Sequence, residues 1–67
     1  MEEDIGKTAG TIWNYLNQNG PVKTIKLKSE LGISNTAMFM ALGWLSRENK
    51  IVITESGHSF NISLKSE

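Results

Sequence analysis

Two sets of side chains between residues 23 and 47 have types and spacings able to do chemistry, and they point to different partners. The first is polar. Asn35 carries an amide that can pair with adenine, Arg47 a guanidinium suited to guanine or phosphate, and Thr36 a hydroxyl beside them. Lys23, Lys26 and Lys28 gather on one short stretch and, with Lys7 or Lys50, could follow a phosphate backbone without reading sequence. The second set is apolar. Phe39, Met40, Gly43 and Trp44 form a candidate partner surface: Phe39 and Met40 could touch thymine methyl groups but neither neutralise phosphate nor satisfy base donors, whereas against a second copy they would exclude water from both surfaces, and Trp44 has an ordinary reading as packing on the hairpin or the first helix of its own subunit. Each polar candidate also has an ordinary reading as a helix-start or solvated residue, and Glu30 dilutes the lysine cluster.

Covalent chemistry has little to work with. The chain has no cysteine and one histidine, it lacks a phosphate-cradling glycine loop, and its carboxylates lie at ends and turns. Ser59 follows His58, but successive strand residues point to opposite faces and no third group orients them. The residues therefore imply a non-catalytic protein with no cofactor, no metal site and no evident small-molecule ligand. His58 reads as a solvated turn residue. Asn61-Ile62-Ser63 matches a glycosylation acceptor, a chance match within a strand in the absence of a secretion signal.

Size and charge bound the alternatives. Sixty-seven residues make one small domain, residues 1–67, which buries only about 60% of its unfolded surface, so a second subunit would reinforce a marginal core. Seven basic and seven acidic residues give zero formal net charge, so no global field draws the chain to DNA or to an anionic membrane. The acidic start Met1-Glu2-Glu3-Asp4 is unlike a signal peptide, and no apolar run reaches the roughly 18 residues that span a bilayer. With no cysteine to oxidise, a cytoplasmic location is the expectation.

The elements that must position these residues follow from periodicity. Ile5, Ala9, Ile12, Trp13 and Leu16 line one face of a first helix that Asp4 can cap, with Glu2 and Glu3 near its positive end, and that Asn19-Gly20-Pro21 stops. Within it, Gly6 and Gly10 cost helix propensity and could admit a close neighbour. Val22 and Lys23 read as a short extended link and Thr24 as the cap of a second helix, with Leu27 and Leu31 inward and its end at Gly32. After Ile33, which plugs the core, Ser34 can cap a third helix running to about Glu48, with Met38, Ala41, Leu42 and Leu45 inward. That rotation sends Thr36, Met40, Gly43 and Arg47 outward, with Phe39 and Trp44 on opposite flanks. Lys50–Thr54 and Ser59–Leu64 alternate with a period of two, as strands joined through Glu55-Ser56-Gly57-His58, and Lys65-Ser66-Glu67 should fray. The expected core is Ile5, Ile12, Trp13, Leu16, Leu27, Leu31, Ile33, Met38, Leu42, Leu45, Ile51, Ile53, Phe60 and Ile62.

Three helices, a tight turn before the third and a closing hairpin make an α+β winged helix-turn-helix. Ile12–Leu16, Leu27–Leu31 and above all Met40-Ala41-Leu42-Gly43-Trp44-Leu45-Ser46-Arg47-Glu48 resemble a family of small prokaryotic winged helix-turn-helix domains of unknown function. The resemblance covers nearly the whole chain and implies the fold, DNA binding as a default expectation, and a homodimer. Lys28 departs from the small alanine that many helix-turn-helix proteins place there. Two functions follow. One is a DNA-associated, homodimeric regulator of transcription that touches phosphates through its lysines and bases through Asn35 and Arg47. The other is an interaction module whose third helix is an association surface that reads no DNA sequence.

Overall fold

In the computed structural model, which describes residues 4–65, the chain forms α1 (Ile5–Asn19), β1 (Val22–Lys23), α2 (Thr24–Leu31), α3 (Asn35–Arg47), β2 (Ile51–Ser56) and β3 (Ser59–Leu64). Local chemistry sets most of the boundaries. The Asp4 carboxylate accepts from the Lys7 backbone N–H at 3.1 Å and the Ser34 hydroxyl from that of Ala37 at 3.1 Å. Each satisfies an amide that has no carbonyl one turn earlier, a contribution of about 1 kcal/mol. After α2, Gly32 takes the left-handed conformation at φ 61°, and the N–H groups of Gly32 and Ile33 both donate to the Lys28 carbonyl. This reversal returns Ile33 to the core. Asn49 does the same for α3 at φ 63°: its N–H donates to the Ser46 carbonyl and that of Lys50 to the Leu45 carbonyl.

The sheet has a third strand. Its order is β1-β3-β2, antiparallel throughout, with Val22 opposite Ile62 and Ile53 opposite Ile62 on the other side. Val22 and Lys23, expected only as a link, are thus sheet members. The next rung of the β1–β3 register would pair Thr24 with Phe60, but the backbone has already turned into α2 there. The buried Thr24 hydroxyl takes over that rung, accepting from the Phe60 N–H at 3.4 Å. Thr24 is therefore not the cap of α2. That position falls to Lys23, whose side chain makes no capping bond.

The hairpin is longer and its turn tighter than the alternation indicates. β2 starts at Ile51 and reaches Ser56 because Glu55 pairs with Phe60 and Ser56 with Ser59, which leaves Gly57-His58 as the turn, with Gly57 at φ 64°. Lys65 does not fray. Its N–H donates to the Lys50 carbonyl and its ammonium to Asn49 Oδ1, each at 2.9 Å. Glu2, Glu3, Ser66 and Glu67 lie outside the described residues.

Ile12, Leu16, Leu27, Met38, Leu42, Leu45, Ile51 and Ile62 are buried as the periodicity requires, while Ile5, Leu31, Ile33 and Phe60 pack against the core's margin. Trp13 and Ile53 do not belong to it, being 37% and 41% exposed. The small side chains of Ala9 and Ala41 fill the contact between α1 and α3 instead, which leaves Trp13 on the rim of the α1 stripe. Ile53 shares the inner face with Ile62, but β2 lies at the edge of the sheet among the described residues.

Thr24→Val keeps the shape of the side chain and deletes the acceptor, leaving the Phe60 amide without its partner. Urea denaturation should show a loss of about 1 kcal/mol, which Thr24→Ser should largely restore. Equal stability of the Val variant and the parent would contradict the role given to this hydroxyl.

Candidate functional site

The rotation of α3 is fixed by what it buries. Ala37, Met38, Ala41, Leu42 and Leu45 face inward, which at 100° per residue turns Thr36, Met40, Gly43 and Arg47 outward and puts Phe39 and Trp44 on the two flanks. All six are exposed. The three large apolar side chains here stay in part uncovered: Phe39 is 47%, Met40 53% and Trp44 51% exposed.

Each flank of α3 has an intramolecular support. Phe39 meets Phe60 of β3 edge-on, with ring centroids 6.3 Å apart and planes at 83°, a geometry that aligns a positive ring edge with a negative face. Trp44 leans the other way over α1, where a Cβ added at Gly6 would come within 3.8 Å of the indole Cζ2. Gly6 is thus a ledge for the indole, while Gly10 has no such neighbour. Between the flanks, Ile5, Met40, Gly43, Trp44, Arg47 and Glu48 border a shallow depression of about 510 Å³.

The polar candidates are not brought together. Lys26 and Lys28 stand two residues apart on α2, so they leave the helix on nearly opposite sides. Lys28 borders a groove of about 700 Å³ between α2, α3 and the wing, together with Asn35, Phe39 and His58. Lys23 and Lys26 border a different groove, with Tyr15, Asn19 and Asn61. Lys50 lies beside Trp13 and Trp44, and Arg47 at the end of the α3 depression. Thr36 is exposed on the outer side of α3. Two apolar side chains not singled out from the sequence are exposed as well, Ile25 and, at 43%, Val52 of β2. Ile25, 70% exposed, borders the Lys28 groove, and its position off the Leu27–Leu31 stripe was the available signal.

Among the described residues no three or more His, Asp or Glu side chains gather as a metal site, and no helix is long and apolar enough to cross a membrane. The described surface carries an apolar stripe on α3, a mixed groove beside it, and scattered cations.

The profile of the winged helix-turn-helix domain family DUF2582 matches residues 1–64. The chain belongs to this family. It is also similar to the uncharacterized protein MJ1608 of Methanocaldococcus jannaschii, with 35% identity over 65 residues that cover 91% of this chain and 90% of the relative. The resemblance carried by the Met40–Glu48 segment thus led to the right family and fold. In this winged helix-turn-helix domain the helix that follows the turn, α3, is the one with the apolar outer side.

Phe39→Leu retains bulk but removes the aromatic edge against Phe60. Chemical denaturation should register a loss of about 0.5–1 kcal/mol, with faster amide exchange in β3 near Phe60. Unchanged stability together with unchanged exchange would show that the ring pair does not fasten the wing to α3.

Proposed function

We propose that residues 1–67 act as a single non-catalytic winged helix-turn-helix unit that works by association, as a homodimer joined through the outer side of α3. The observation that carries this reading is the exposure of Met40 and Trp44, each more than half uncovered, on a helix that already spends its opposite side on the core. Burying a large apolar side chain fully is worth roughly 1.5–3 kcal/mol, so the exposed halves hold a driving force that a second copy can release. Zero net charge lets two copies meet without long-range repulsion. The reading puts the protein in the cytoplasm, an environment that a chain without cysteine tolerates.

A second reading has one specific observation in its favour. Lys28 and Asn35 border the same groove at the start of α3, where an amide and an ammonium could meet a base edge and a phosphate. On this reading the protein is a DNA-associated regulator of transcription in which Arg47, Thr36, Lys23 and Lys26 add contacts. It is the weaker of the two, because those cations are divided among three grooves and a phosphate track needs them in line.

Sedimentation equilibrium across a dilution series separates the readings. The parent should dimerise in the micromolar range, and Met40→Glu should be monomeric with its thermal transition preserved. A parent that stays monomeric at high micromolar concentration overturns the association reading. For the DNA reading, affinity for a random duplex should fall with salt, and Lys28→Gln should shallow the log–log slope by about 1. Absence of binding at low salt removes it.

A further inference from the structure

Gly43 is the odd residue of the α3 surface. It lies in the interior of a 13-residue helix, where glycine is a poor helix former. Nothing among the described residues requires it: there a Cβ added at Gly43 meets no atom within 4 Å, and its φ is not positive. Packing, turn geometry and backbone strain, the usual reasons for a glycine, are all missing. Yet it lines the α3 depression, together with Ile5, Met40, Trp44 and Arg47.

We infer that two copies pack with their α3 helices crossing at Gly43, each glycine forming the socket for Met40 or Trp44 of the partner subunit. This rests on the association reading and adds its geometry. The occupant is a second copy for three reasons. Among the described residues the depression has one cation and one anion at its rim, Arg47 and Glu48, a balanced pair that a second copy carries as well. It also carries its own complement, since a missing side chain lies beside two half-exposed apolar ones, the self-matching pattern that a two-fold axis needs. Area supplies the third reason. Phe39, Met40 and Trp44, about half exposed, offer on the order of 100 Å² each, or roughly 600 Å² over two copies. A specific interface needs about 1,000 Å² or more. Only helices in close approach bring Ile5 and the aliphatic stem of Arg47 into the contact as well, and a side chain at position 43 would hold them apart.

The test turns on opposite signs. In the full 67-residue chain, Gly43→Ala and Gly43→Leu should stabilise the isolated subunit, shifting its folding equilibrium by about five-fold at a dilution where the parent is monomeric. The same substitutions should weaken self-association in sedimentation equilibrium, by ten-fold or more for Leu and less for Ala. A parent dimer that Met40→Glu dissolves but Gly43→Leu leaves intact overturns the crossing at Gly43 and spares the association reading. A parent that never dimerises overturns both. Loss of subunit stability in both Gly43 variants would show that the space above the glycine is used within the subunit, and would also end the proposal.

Discussion

The contact between α1 and α3 decides the rest of this molecule. Ala9, Ile12 and Leu16 on one helix and Ala41, Leu42 and Leu45 on the other belong to one buried cluster. Once those six are buried, the rotation of α3 is no longer free: Met38 is buried with them, Met40, Gly43 and Arg47 are turned outward, and Phe39 and Trp44 fall on the two flanks. α2 and the sheet are then added around the pair, with Leu27, Ile51 and Ile62 closing the core. The Thr24 hydroxyl joins the start of α2 to the sheet where the ladder has run out.

A helix that is apolar on two sides is an unusual demand on a chain of this size. The core can take one side, and the wing and α1 take part of the flanks, through Phe60 beneath Phe39 and Gly6 beneath Trp44. With these supports each aromatic side chain is still about half exposed. A partner that covered the rest would gain the desolvation of that area. Recognition of DNA makes the reverse demand, for cations in line along a backbone, and here the lysines leave α2 on different sides.

Signals held within a few residues of each other were legible in the sequence. Asp4 and Ser34 announce helix starts, Gly32 announces the reversal between α2 and α3, and the alternation from Ile51 to Leu64 announces the hairpin. The pairing of Val22-Lys23 with β3 was not legible, because two residues carry no periodicity and their partners are nearly forty residues away. The role of Thr24 depends on that same distant register. Trp13 and Ile53 were misplaced for a related reason: a stripe or an alternation gives direction, but not how far the neighbouring element extends to cover it. The candidate site divides in the same way. The outward direction of Met40, Gly43 and Arg47 follows from the wheel of one helix, whereas the dispersal of Lys23, Lys26 and Lys28 over two grooves and the docking of Phe39 on Phe60 require the tertiary arrangement.

An isotope-filtered nuclear Overhauser experiment on an equimolar mixture of labelled and unlabelled chains, at a concentration above the dimer midpoint, probes the outer side of α3 most directly. The account predicts contacts between copies from the Met40 methyl to the Trp44 indole and to the Gly43 α-protons. Contacts between copies confined to the wing or to α2, or none at all, would contradict it.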